Sequence, residues 1–88
     1  MKIYDNYNTR LVENFMQEVM RDVIKSANKG FVLVDTRCTP DHGWETMVFK
    51  CNQKGTVKNW TDLDRRNYGT QQEANNGHVE IVNKWINK

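Results

Sequence analysis

Apolar residues recur every three or four positions along the first third of the chain. This spacing is typical of an amphipathic helix that buries one side. Asn8 or Thr9 could cap the start of such a helix, and Gly30 could end it in a left-handed conformation. We therefore expect an N-terminal helix over about residues 8–29, with an apolar stripe of Leu11, Val12, Phe15, Met16, Val19, Met20, Val23, Ile24 and Ala27.

The middle of the chain has a different pattern, with a period of two. Residues 31–37 are rich in β-branched and apolar side chains, and residues 44–51 alternate between two faces. Turn-forming residues separate the two segments, which predicts an antiparallel hairpin over about residues 31–52. Residues 56–60 could add a short third strand, whereas the polar and aperiodic residues 61–67 indicate a surface loop.

The last third returns to helical spacing. Thr70 and Glu73 are spaced as a capping box, and a stripe from Ala74 to Ile86 predicts a helix over about residues 70–87. The whole pattern predicts one α+β domain, residues 1–88, of order α-β-β-(β)-α. In it, a two- or three-stranded antiparallel sheet carries both helices on one face. The expected core is Phe15, Val19, Val23, Leu33, Val34, Val48, Phe49, Ala74, Ile81, Val82 and Trp85.

Composition restricts the kinds of protein that this can be. The chain has 88 residues and a formal net charge of +2, which is too small to indicate nucleic-acid binding by itself. It has no apolar run long enough to span a membrane and no secretion signal at its start, so we expect a cytoplasmic protein without membrane contact. Two cysteines cannot build a disulfide scaffold, and a cytoplasm would keep them reduced.

Two segments together resemble a known type of small protein. The strand Trp44-Glu45-Thr46-Met47-Val48-Phe49 is followed by Trp60, Leu63 and Asp64, and then by the helix entry Tyr68-x-Thr70-x-x-Glu73-Ala74-x-x-Gly77-His78. This arrangement is similar to small, mostly uncharacterised phage and prophage proteins with a Glu-Thr-Met-Val-Phe strand. The resemblance covers about residues 31–85. It implies a bacterial host cell and a fold, and it implies no reaction.

Residues able to do chemistry do not form a recognisable catalytic pattern. His78 lies on the apolar side of the last helix, which favours a structural role for its ring. Cys38, His42, Cys51 and His78 lack the paired spacing of a structural zinc site, and Asp62 and Asp64 have no evident third ligand. We therefore expect no catalytic residue, no metal, no cofactor and no enzymatic activity.

Aromatic and basic residues suggest two binding surfaces instead. Tryptophan at the end of a strand often anchors a protein interface. The first candidate surface, for a protein partner or a homodimer, comprises Trp44, Trp60, Phe15, Met16 and Met20. The second, for single-stranded nucleic acid, comprises Lys50, Lys54, Lys58, Trp60, Arg65, Arg66 and Tyr68.

The sequence thus leads to a binding protein as the main hypothesis. We expect a non-enzymatic phage or prophage accessory protein that binds a host macromolecule, above all a host protein, and that could inhibit a bacterial defence component. The alternative is a small nucleic-acid-binding protein that uses the basic aromatic surface. The sequence does not identify the partner, the oligomeric state or the stage of the phage cycle.

Overall fold

The protein is an antiparallel sheet with one helix across one of its faces. The computed structural model describes residues 19–88. Its strands are β1 (Val19–Ser26), β2 (Gly30–Thr39), β3 (Gly43–Lys50) and β4 (Asp64–Tyr68), and its helix is α1 (Gln71–Ile86). The strands lie side by side in chain order, and each pairs antiparallel with the next. The predicted α+β class and the C-terminal helix are confirmed.

The predicted N-terminal helix is wrong where the structure describes it. Residues Val19–Ser26 form an edge strand that pairs with β2 from Val19 opposite Arg37 to Ser26 opposite Gly30. The remainder of that prediction, residues 8–18, lies outside the described residues. Alternate side chains of β1, including those of Met20 and Asp22, point toward α1. Burial along this segment therefore repeats every two residues, as in a strand, and not every three or four, as in a helix. Pairing with β2 outweighs the local helical preference, which is only a weak determinant.

The fourth strand also differs from the prediction. Residues 56–60 form no strand, and β4 instead lies at Asp64–Tyr68 within and just after the segment expected to be a loop. Its sequence is polar because β4 is an edge strand that buries little surface. Pairing with β3, from Trp44 opposite Tyr68 to Val48 opposite Asp64, holds it in the sheet.

Helix α1 begins as the sequence predicts. The Thr70 hydroxyl accepts from the Glu73 amide, and the Glu73 carboxylate accepts from the Thr70 amide, which completes the capping box. At the other end, the Ala27 amide donates to the Ile86 carbonyl at 3.0 Å. The helix is therefore fixed at its start by its own caps and at its end by the turn between β1 and β2.

The core lies between α1 and the sheet. Every member is less than a tenth exposed, and the group comprises Val32, Val34, Val48, Ile81, Val82 and Trp85, with Ile24 packed against it. Most of the predicted core residues are buried. Val23 is an exception at 41% exposed, because it points away from the helix. Phe15 and the side chain of Val19 lie outside the described part of the chain.

Gly77 allows the helix to approach the sheet closely. A Cβ atom at this position would lie 2.2 Å from the Tyr68 ring, a distance that real atoms do not adopt. The ring of Tyr68 therefore occupies the space that any larger residue would need. This contact explains why a helix tolerates glycine near its middle despite a cost of about 1 kcal/mol relative to alanine.

The opposite face of the sheet, here called the outer face, is covered by chain without regular structure. Residues 51–63 connect β3 to β4 and place Val57 against a small apolar cluster of Leu33, Phe49 and Cys51. The Leu63 amide donates to the Val48 carbonyl at 2.7 Å, which holds the end of this connection against the sheet.

Candidate functional site

A chain of polar side chains crosses the sheet beneath α1. Asp22 Oδ2 lies 2.7 Å from His78 Nε2, and His78 Nδ1 lies 2.6 Å from the Thr36 hydroxyl. The Thr36 and Thr46 hydroxyls are 2.5 Å apart, and the Tyr68 hydroxyl donates to Thr46 at 3.0 Å. This polar row therefore takes one residue from each strand and one from the helix.

The polar row has a consistent direction of donation when the imidazole is neutral. Burial raises the pKa of the Tyr68 phenol, against a smaller lowering by its bond to Thr46, so the phenol keeps its proton and donates. Thr46 then donates to Thr36, and Thr36 donates to His78 Nδ1. The remaining proton of the ring, on Nε2, is donated to Asp22, so each hydroxyl proton and each ring nitrogen has one partner in the row.

Asp22, His78 and Thr36 are ordered like the members of a nucleophilic triad. Such a triad needs a nucleophile that a substrate can reach. Thr36 is fully buried and His78 is 1% exposed. In this structure the polar row joins the sheet to the helix, and the structural role of His78 stays a prediction from the sequence.

A second polar group lies on the outer face. Asp35 is 4% exposed, and its Oδ2 atom pairs with both Arg37, at 2.8 Å, and Arg21, at 3.5 Å. Asp35 Oδ1 and the Nε atoms of both arginines are buried without a hydrogen-bond partner among the described residues. This group is thus only partly satisfied, in contrast to the polar row.

The connection between β3 and β4 presents an aromatic side chain to solvent. Trp60 is 61% exposed, yet its ring packs edge to face against Phe49 with 4.9 Å between ring centroids. Leu63, three residues further on, is 48% exposed. We call Trp60 and Leu63 the loop surface. Both side chains expose apolar area, and the Trp60 ring is held in place by its contact with Phe49.

The other residues predicted for a protein interface have different surroundings. Trp44 is half-buried on the helix side of the sheet, opposite Tyr68 in the register. Met20 is fully buried, so it has no surface to offer a partner. Phe15 and Met16 lie outside the described residues. Of the predicted set, Trp60 is the member that the structure places in an exposed position.

The residues predicted for nucleic-acid binding do not share one face. Arg65 and Arg66 are consecutive in β4 and therefore point to opposite sides. Arg66 pairs with Glu80 of the helix at 2.8 Å, and the Tyr68 hydroxyl is occupied by Thr46. Lys50 donates to the Lys29 carbonyl. Lys54, Lys58 and Trp60 remain together on the same connection.

The described residues also bear on metal binding and on membrane insertion. Within residues 19–88, no three side chains of histidine, cysteine, aspartate or glutamate are grouped so that they could hold a metal ion. Asp62 instead pairs with Arg65, and Asp64 accepts from Trp85 and Lys84. The described part of the chain has no helix with the length and apolar character needed to cross a bilayer.

Comparison with known proteins provides no relative from which a function could be transferred. No family model, curated protein or solved structure matches the chain. The resemblance to small phage proteins therefore stays a prediction from the sequence.

Proposed function

We propose that this chain is a non-enzymatic phage or prophage accessory protein that binds a host protein through the loop surface. Inhibition of a bacterial defence component is the form of host modulation that we favour. The observation that carries the binding proposal is Trp60, which is 61% exposed while its ring is held against Phe49. The phage setting rests on the sequence resemblance alone.

The position of Trp60 suits an interface anchor. Tryptophan contributes a large contact area with few rotatable bonds, and it is enriched among the residues that dominate binding energy. Its packing on Phe49 restricts the ring before a partner arrives, so less conformational entropy is lost on binding. Leu63 is a second exposed apolar residue of the same connection, and Lys58 lies two residues before Trp60 in the sequence.

The burial of the polar row supports a role without catalysis. Its histidine and threonines are at most 1% exposed, so no substrate of ordinary size reaches them in this fold. The exposed parts of the described chain contribute apolar and charged surface instead. Those are the components from which protein interfaces are built.

Affinity capture from bacterial lysate tests the proposal with three baits. The unchanged chain should retain a specific host protein, and Trp60→Ala should lose it, with roughly a tenfold or greater drop in affinity. Val79→Ala is the matched control, because Val79 is 53% exposed and lies on α1. Equal retention by all three baits, or no retained protein with a micromolar bait, would contradict the proposal.

Nucleic-acid binding remains a second candidate because Lys54, Lys58 and Trp60 share one connection. Base stacking on an exposed indole next to lysines is a common way to hold single strands. Titration of labelled oligonucleotides at two salt concentrations distinguishes the candidates, since phosphate contacts must weaken as salt rises. Binding that is insensitive to both salt and Trp60→Ala would dismiss this second candidate.

A further inference from the structure

A small open cavity lies where β3 passes into the connection to β4. Its volume is about 200 Å³, and it is lined by Lys50, Cys51, Asn52, Thr56, Lys58 and Asn59. The surface that faces it is almost wholly apolar. Residues with polar ends can give such a surface because they contribute their carbon atoms, as the stem of a lysine does. The cavity therefore suits an apolar occupant and offers little to a polar one.

Hydrogen bonds hold the walls of the cavity in place. Asn52 Oδ1 accepts from the amides of Lys54 and Thr56, each at 2.9 Å, and the Asn52 amide donates to the Thr56 carbonyl at 3.1 Å. Asn59 Oδ1 accepts from the Thr61 amide at 2.9 Å. Both asparagine oxygens are thus used within the connection itself. The cavity is preformed, which lowers the entropy cost of filling it.

The cavity adjoins the apolar cluster that supports Trp60. Cys51 lines the cavity and belongs to the same cluster as Phe49, against whose ring Trp60 packs. Asn59, on the cavity wall, directly precedes Trp60 in the chain. Burial raises the pKa of the Cys51 thiol, against a smaller lowering by Lys50, so this thiol is uncharged at neutral pH. A partner that covers Trp60 would therefore come within reach of the cavity.

The chain around the cavity carries charge of one sign. Residues 46–61 contain Lys50, Lys54 and Lys58 and no acidic residue. None of these lysines forms an ion pair with a carboxylate in the part of the chain that the structure describes. Lys50 donates to the Lys29 carbonyl, which leaves its charge uncompensated. Acidic residues of a partner would therefore be attracted to this part of the surface.

We propose that this cavity receives one apolar side chain, of about the size of leucine, from a protein partner that carries acidic residues on either side of it. The partner is the host protein of the proposed function, on which this inference rests. A cavity of about 150 Å³ already accepts a benzene-sized group, so a leucine side chain fits the available volume. A nucleotide suits the cavity less, because an apolar wall leaves the polar edges of a base without hydrogen bonds.

Three short peptides test the cavity without the host protein. Each is acetylated and amidated, and the sequences are Asp-Leu-Asp, Asp-Ala-Asp and Lys-Leu-Lys. In backbone amide NMR titrations we expect Asp-Leu-Asp to give saturable shifts confined to the segment from Lys50 to Thr61, with a dissociation constant of about 1–10 mM. Asp-Ala-Asp should bind about tenfold more weakly because it lacks the leucine, and Lys-Leu-Lys about fivefold more weakly because its charges are repelled.

The same titrations define the contrary result. Equal binding of Asp-Leu-Asp and either of the other peptides would overturn the proposal. So would the absence of saturable shifts at about 50 mM Asp-Leu-Asp. Tighter binding of a short single-stranded oligonucleotide to the same segment would also overturn it, because that behaviour belongs to a nucleic-acid surface.

Two matched variants locate the bound leucine. Thr56→Phe places a ring at the cavity, and the fold should be retained because Thr56 is exposed and is bonded through its backbone. This variant should bind Asp-Leu-Asp about tenfold more weakly or worse. Gln53→Phe adds the same ring to the same connection outside the cavity, and its effect should stay within about twofold. Equal losses in the two variants, with the fold confirmed by circular dichroism, would contradict binding in the cavity.

Trp60→Ala separates the cavity from the host-protein proposal. The tripeptide does not need the indole, so Trp60→Ala should weaken its binding far less than Thr56→Phe does. Loss of binding in Trp60→Ala with full binding in Thr56→Phe would place the leucine on the indole and overturn the inference. If no host protein is captured while Asp-Leu-Asp still binds in the cavity, the proposed function fails alone. A captured host protein should be lost by a Thr56→Phe bait and kept by a Gln53→Phe bait.

Discussion

The two faces of the sheet treat their polar side chains in opposite ways. Beneath α1, Thr36, Thr46 and His78 are at most 1% exposed, and all belong to one continuous polar row. On the outer face, Asp35 and its two arginines leave buried atoms without partners among residues 19–88. The helix side uses polarity to specify the fold, whereas the outer side leaves part of its buried hydrogen-bonding capacity unused.

This difference has consequences for the pairing of the strands. Shifting a strand by one residue would move all of its side chains to the other face. Such a shift of β2 or β3 would carry one of the two threonines to the outer face, separate Thr36 from Thr46 and interrupt the polar row. The polar row therefore disfavours incorrect registers more strongly than an aliphatic row would, because unpaired buried polar groups are costly.

The largest effect is expected from breaking the polar row at its centre. His78→Leu removes the partner of both Asp22 and Thr36, and it should lower the free energy of unfolding by about 3 kcal/mol. Urea denaturation measures this change. Val79→Ala, at the neighbouring exposed position of α1, should cost less than about 0.5 kcal/mol. A similar decrease in the free energy of unfolding for both variants would show that the polar row contributes no more to stability than an exposed side chain does.

The next effect concerns the contact between Gly77 and Tyr68. Alanine normally stabilises a helix relative to glycine, but here its Cβ would collide with the Tyr68 ring. Gly77→Ala should therefore destabilise the protein by about 2 kcal/mol in thermal or urea unfolding. In a Tyr68→Ala background the same substitution should become neutral or stabilising. A loss that persists without the ring would contradict this explanation.

A smaller, pH-dependent effect is expected at the edge of the helix side. Burial would raise the pKa of Asp64, but hydrogen bonds from Trp85 and Lys84 outweigh it and hold that pKa below its ordinary value. The resulting stability is present above the ordinary pKa and is lost as pH falls through the lowered one. Asp64→Asn should thus cost about 1 kcal/mol at neutral pH, and the difference from the unchanged protein should shrink as the pH falls below the ordinary pKa of an aspartate. A difference that does not depend on pH would exclude this linkage.

The smallest effect is expected on the outer face. Arg21 is 39% exposed and lies 3.5 Å from Asp35, so Arg21→Gln should cost less than about 0.5 kcal/mol in urea unfolding. Asp22→Asn is the matched comparison, because Asp22 is the next residue of β1 and faces the helix. It should cost more than Arg21→Gln. The contrast between the two faces would be lost if Arg21→Gln were the more damaging change.

The C-terminal helix was predictable because its signals are local. Thr70, Glu73 and the stripe ending near Trp85 lie within one element, and no distant segment is needed to recognise them. The hairpin of β2 and β3 could also be predicted from local signals, since Gly43 ends its turn with a positive φ of 68°, a conformation that favours glycine. In these segments, the local pattern and the tertiary structure favour the same conformation.

The first strand was not predictable from the same kind of pattern. Val19, Met20, Val23 and Ile24 satisfy a helical spacing, yet they also fit a strand with apolar side chains on both faces. The deciding contacts come from β2 and from His78, which is 56 residues away from Asp22. A helix over residues 8–29 would leave Asp22 outside the apolar stripe, so the helical pattern gives no sign that Asp22 pairs with His78.

The polar row also bears on how the protein assembles. Its end residues, Asp22 and His78, belong to the first described strand and to the helix that closes the fold. The row is complete only when β1, the sheet and α1 are all in place, so no partly folded form that lacks either end can satisfy these buried groups. The same feature links opening of the first strand to release of the last helix, which favours unfolding of the sheet and helix as one cooperative unit.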